Sequence, residues 1–173
     1  MEKETTISTL HQLLDYNTQH FIVGEVHLQQ ALKNRIEKAS AVKLKAIFQK
    51  YLEHIDHNVK SFEKFIDMER MNLISSEHKI LTTLIEDADK TYLYCSDPEI
   101  KDASLLASVQ VINHFKICAY GTAAAYANTL GMEEAGKLFK MAEINEKQID
   151  DRLSQMAEFE INKRATSPIV LPN

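Results

Sequence analysis

Between residues 48 and 66 the apolar side chains Phe48, Leu52, Ile55, Val59, Phe62 and Ile66 recur in alternating steps of four and three. That is the spacing of one face of a long α-helix, and it is the cleanest amphipathic stripe in the chain. Three further segments carry the same period. The first runs from about Thr6 to Lys38, with Leu10, Leu14, Phe21, Leu28 and Leu32 on one stripe. The third runs from Pro98 to about Leu130, and the fourth from just beyond Gly131 to about Arg164. Only four glycines and three prolines punctuate 173 residues, too little turn chemistry for a sandwich or barrel of many short strands.

The boundaries agree with this reading. Ser40 is a candidate N-cap for the second helix, and Asp97 followed by Pro98 fits an N-cap with proline in the first turn of the third long one. Gly131 can take the left-handed position that ends a helix, and so short a connection forces an antiparallel pair. A shorter helix is expected from about His78 to Tyr94, after an irregular stretch from Arg70 to Glu77. The expectation is therefore all-α: a ferritin-like four-helix bundle over residues 1–164, with a short extra helix on the crossover, and a flexible tail over 165–173 that holds Pro168 and Pro172.

Composition removes several classes of function. With 45% hydrophobic and 26% charged residues the chain has the balance of one soluble globular domain. No stretch approaches the length of a membrane span, and Met1-Glu-Lys-Glu lacks a basic region followed by an apolar run, so a cytoplasmic protein with no membrane partner is expected. The formal charge of −5 comes without a run of Lys or Arg longer than two, so no nucleic-acid partner is expected. Cys95 and Cys118 form no CxxC and read as ordinary small hydrophobes. No Ser/His/Asp or Cys/His constellation, phosphate loop or dinucleotide turn is present.

What remains informative is the polar residues that interrupt buried stripes, because an unpaired buried charge is expensive. At about 100° per residue, Glu25 falls between Phe21 and Leu28, and Tyr51 and Asn58 fall inside the arc of the second helix with His54 at its margin. On the third long helix the inward arc is Leu105, Val109, Asn113, Lys116, Tyr120, Ala123 and Ala127. On the last it is Leu138, Ala142, Glu146, Ile149, Leu153 and Met156, with Asp150 at its flank. All these polar positions lie near mid-helix, so Glu25, Tyr51, Asn58, Asn113, Lys116, Tyr120 and Glu146 should share one layer. His20, His27 and His78 are expected at the surface.

Bundles that hold two metal ions use a carboxylate from each of two helices and a Glu-x-x-His pair from each of the others. Glu25 and Glu146 meet that demand, Asp150 and His54 are marginal, and Lys116 brings a positive charge to the place of a cation. Two readings follow. In one, Lys116 pairs with Glu25 and Glu146 in a buried lock, no cofactor is bound and the protein is not an enzyme. In the other, Glu25, His54, Glu146 and Asp150 hold iron, manganese or zinc for redox or peroxide-related work.

The stretch from Asp97-Pro-Glu-Ile-Lys-Asp-Ala to His114, with Ala119-Tyr-Gly-Thr, Ala127 to Gly131 and Glu146-Lys-Gln-Ile-Asp150, resembles the second half of the YciE/YciF family of bacterial ferritin-like proteins. Gly24-Glu25 with Leu28 and Ala31-Leu32 resembles its first helix, and the resemblance covers about residues 8 to 163. It implies a ferritin-like bundle, a homodimer or larger homo-oligomer, and an association with bacterial stress responses without an established reaction. The family pattern has Ala-Glu on the first helix, His-Leu-Glu-x-Thr on the second, Glu-His-Tyr-Glu on the third long helix and Glu-Lys-x-x-Asp on the last. Glu25, Glu146 and Asp150 fall on matching positions. Tyr51-Leu52-Glu53-His54-Ile55 departs at the His and the Thr, and Asn113-His114-Phe115-Lys116 has neither glutamate, which implies a degenerate metal site.

Overall fold

The computed structural model describes residues 6–69 and 78–166. Four long helices form the bundle: α1 (Leu10–Lys38), α2 (Val42–Glu69), α4 (Pro98–Thr129) and α5 (Glu133–Met156), with the shorter α3 (Lys79–Tyr94) on the crossover between α2 and α4. α1 packs against α2 and α4 against α5, and contacts of α2 with α5 and of α1 with α4 close the square. α3 lies on α1 and α4. The expected stretch Arg70 to Glu77 lies outside the described residues, as does 167–173 of the expected tail.

Each long helix buries most of the stripe its sequence implies, with Leu10, Val59 and Met156 half-buried. Phe48, Leu52, Ile55, Phe62 and Ile66 of α2 are buried, as are Leu14, Phe21, Leu28 and Leu32 of α1 and every residue of the inward arc of α4. Leu138 of α5 is only half-buried, and Phe139 beside it fills the interior against Phe62 and Phe65. The apolar core falls into two clusters. One, around Leu32, Phe48, Ile55, Val109 and Leu153, lies toward the α1–α2 turn, and the other, around Phe21, Phe62, Tyr120 and Phe139, toward the α4–α5 turn.

The ends are held differently from the sequence expectation. Ser40 does not cap α2, which begins at Val42; Asp102 of α4 reaches across and accepts from the amides of Ser40 (2.7 Å) and Ala41 (2.8 Å) and from the Ser40 hydroxyl (2.5 Å). A buried carboxylate from another helix thus satisfies amides that a local serine would otherwise leave open. Asp97 makes no side-chain cap, although Pro98 does occupy the first turn. Gly131 has φ +72°, the left-handed conformation expected of it. α5 does not run unbroken to Arg164: it widens into a π-turn over Ala157–Ile161 and resumes as α6 (Asn162–Ala165).

Candidate polar centre

Between the two apolar clusters, polar residues from all four long helices meet. Lys116 of α4 is 3% exposed, with its Nζ 3.0 Å from Glu25 Oε1 of α1 and 2.7 Å from Glu146 Oε1 of α5. It donates to the hydroxyl of Tyr51 on α2 at 3.2 Å. The ammonium thus meets an oxygen from each of the other three long helices. Tyr51 in turn donates to Glu146 Oε2 at 2.5 Å, and Asn113 Nδ2 donates to that same oxygen at 2.7 Å and to the Glu146 carbonyl at 3.0 Å. Tyr120 donates to Glu25 Oε1. The rings of Tyr51 and Tyr120 lie with their centroids 4.9 and 5.8 Å from Lys116 Nζ, where a cation gains from the π faces.

The electrostatics follow from burial and pairing. Burial alone would lower the Lys116 pKa, but Glu146 and Glu25 outweigh it and hold the group above the ordinary value of 10.5, as an ammonium. Burial raises Glu146 above its ordinary value; Lys116 pulls the other way and Glu25 adds to the rise. Tyr51 and Tyr120 are raised well above 10.0, first by burial and then by the neighbouring carboxylates, so both stay neutral donors.

Six of the seven residues expected in the layer are therefore in contact: Glu25, Tyr51, Asn113, Lys116, Tyr120 and Glu146. Asn58 is buried on the same face of α2, but its Nδ2 has no hydrogen-bond partner among the described residues. Of the alternative metal set, only Glu25 and Glu146 converge. His54 is half-buried on α2 beside Arg152, where burial and that guanidinium lower its pKa, and Asp150 accepts from His114 Nε2 at 2.8 Å on the outer side of α4 and α5. Among the described residues no three His, Cys, Asp or Glu side chains gather where they could hold a metal ion. A resident metal does not fit the donor set, because the point between the two carboxylates that converge is filled by Lys116.

Sequence reasoning missed several buried polar groups, among them one beside the centre and one away from it. His78, expected at the surface, is 6% exposed and caps α3, its Nδ1 accepting from the Leu81 amide at 3.2 Å. Gly24, the neighbour of Glu25, makes room for it: a Cβ there would stand 2.5 Å from Leu81 Cδ1 and 3.0 Å from the His78 ring. The glycine beside an inward glutamate was the available signal. Arg35, 1% exposed, is the other; it donates to the Ala31 carbonyl at 3.2 Å and approaches Asp89 at 3.8 Å. Its place one turn beyond Leu32 and two beyond Leu28 is the trace it leaves in the sequence.

Up-down helix pairs joined by a long crossover, with a polar cluster at mid-height drawing on every long helix, define a ferritin-like bundle protein. Residues 9–166 match the family described as Domain of unknown function (DUF892), and the chain belongs to that family, the YciE/YciF group of ferritin-like proteins. It is 31% identical over 148 residues to Protein YciF of Escherichia coli strain K12, a match that covers 82% of this chain and 86% of that one. The crystal structure of the E. coli stress protein YciF superposes with a TM-score of 0.84 at 26% identity, over 91% of this chain and 99% of the other. YcfI from Rhodopseudomonas palustris gives 0.83 at 23% identity, over 89% and 97%. The fold also matches a two-domain protein of Anabaena variabilis that contains DJ-1/ThiJ/PfpI-like and ferritin-like domains, with a TM-score of 0.57 at 19% identity over 96% of this chain and 40% of that one.

Proposed function

We propose that this is a stress-associated bacterial protein of the cytoplasm in which a ferritin-like bundle has given up its di-metal site, and that it works through protein interaction or scaffolding rather than catalysis, as a homodimer or larger homo-oligomer. The observation that carries the reading is the seating of Lys116 Nζ within 3.0 Å of Glu25 and 2.7 Å of Glu146. A lysine ammonium paired with both supplies the positive charge that two buried carboxylates would otherwise take from a cation. Admitting a metal would mean displacing that ammonium into an apolar interior. The relatedness to a protein called a stress protein supports the cellular role. Among the described residues no helix is long and apolar enough to cross a membrane.

The test is metal content after loading the purified protein separately with iron, manganese and zinc and desalting. Retention below about a tenth of an equivalent of each metal is expected. One or two equivalents retained, and lost in Glu146→Ala, would replace this reading by a metal-binding one and direct the work to oxygen and peroxide turnover.

A further inference from the structure

Next to the polar centre, between α1, α4 and the start of α3, is a cavity of about 610 Å³ whose walls include Tyr16, Phe21, His78, Phe115, Ala119 and Thr122. That is the size of a site for a small organic molecule. Four of these residues, Phe21, His78, Phe115 and Ala119, also line a second space that continues inward to Glu25, Lys116 and Tyr120. The inner space is only about 10 Å³, room for one water-sized group. The partition between the two is made of side chains alone: the His78 and Phe115 rings meet edge to face with centroids 5.5 Å apart.

The inner space borders a charge that the centre leaves unbalanced. Two carboxylates, Glu25 and Glu146, face one ammonium, Lys116, and all three are buried. The deficit falls on Glu25. Glu146 Oε2 accepts from Tyr51 and Asn113 and its Oε1 lies 2.7 Å from the Lys116 ammonium, an ion pair outside hydrogen-bond geometry, whereas Glu25 Oε2 has no hydrogen-bond partner among the described residues and its Oε1 takes both Lys116 and Tyr120. The hydroxyl of Tyr120 already donates to Glu25 Oε1, and the Lys116 ammonium is shared among Tyr51, Glu25 Oε1 and Glu146 Oε1. His78 supplies no positive charge there, since burial lowers its pKa and its Nδ1 is occupied as an acceptor. Among the described residues no donor is free for Glu25 Oε2; one that reached it would need a head the size of a water, and is favoured if it carries a positive charge.

We propose that this cavity binds a primary amine on an aromatic or other apolar body, with the body between Phe21, Phe115 and Ala119 and the ammonium against Glu25 Oε2. An ammonium is the group that fits both the volume and the charge. It balances the second carboxylate, as Lys116 balances the first, and the outer chamber removes the apolar body from water. Lys79 at the rim is exposed, so its own ammonium stays in solvent and leaves the inner end to the ligand. The site is separate from the metal question, because it asks nothing of the space that Lys116 fills.

The test uses the full chain and 2-phenylethylamine, compared with 2-phenylethanol as its neutral isostere, by isothermal titration. The amine is expected to bind saturably with a millimolar or tighter Kd, and at least tenfold more tightly than the alcohol. Glu25→Gln should bring the two ligands to within about twofold of each other. That variant alters the centre itself, so Ala119→Leu serves as the second: it fills the chamber from α4, removes none of the hydrogen bonds or ion pairs of the centre, and should abolish binding with the melting temperature of the parent retained. Equal affinity for amine and alcohol, unchanged amine binding in Ala119→Leu, or no saturable binding of the amine overturns the proposal.

Discussion

Lys116 sets the energetics of the interior, and removing it leaves two carboxylates in contact with nothing that balances them. Lys116→Ala should lower the unfolding free energy by about 3 to 5 kcal/mol, measured by urea denaturation at pH 7. A denaturation curve that overlays the parent would reject the lock. The companion variant Glu25→Gln/Lys116→Met/Glu146→Gln, which removes all three charges together, should recover most of that loss, since replacing a whole buried ion cluster is close to neutral whereas halving it is not. The lock also gives the protein a particular alkaline behaviour. Lys116, Tyr51 and Tyr120 all have folded pKa values above their ordinary ones, so the folded state holds their protons more tightly than the unfolded chain does. Each contribution is complete below the unfolded pKa, about 10 to 10.5, and is lost as pH rises through the folded value. Stability should therefore fall steeply above pH about 10, and tyrosinate absorbance from Tyr51 and Tyr120 should appear only together with loss of helix. Tyrosinate from all six tyrosines of a still-folded protein near pH 10 would contradict the burial assigned to these two.

At the scale of helices, the joint between α1 and α2 depends on a residue sixty positions away in sequence. Asp102 satisfies both the Ser40 and Ala41 amides and the Ser40 hydroxyl, so it closes the start of α2 and ties it to the first turns of α4. Asp102→Ala is expected to cost about 2 kcal/mol, at the upper end of cap substitutions because the carboxylate is buried; Ser40→Ala, which removes only one of the three bonds, should cost less than half of that. Thermal melts of the two variants side by side check the order, and the reverse order would return the cap to Ser40. The stripes of α1, α2 and α4 were legible because helical periodicity is a local property written every three or four residues. The cap was not, because satisfaction of a helix end by a carboxylate from another helix leaves no local signature. The π-turn at Ala157–Ile161 was equally silent: a single widened turn alters the face of only the last few residues, among them buried Ile161 and the exposed Phe159.

At the scale of the whole molecule, the polar layer divides the core, with an apolar cluster on either side. A register slip of any one long helix by a turn would pull Glu25, Tyr51, Lys116 or Glu146 out of this layer and into an apolar cluster, so the lock specifies how the four helices are aligned as much as how tightly they hold. Apolar side chains remain outside: Ile80 of α3 and Val111 of α4 are more than half exposed, and Leu93 and Tyr94 at the end of α3 are nearly fully so. Exposure of this kind accords with assembly, and light scattering coupled to size exclusion should give at least twice the mass of one chain; a monomer at micromolar concentration would count against the oligomer. Sequence alone determined the class of fold, the four buried stripes and six of the residues that meet at the centre, because each of these follows from the position of a residue on its own helix. Tertiary structure decided which of them touch. It joined Lys116 to both glutamates, left Asn58 aside, set His54 and Asp150 at the margins, and buried His78 against Gly24, because those outcomes depend on distances between helices, and no periodicity within a single helix contains them.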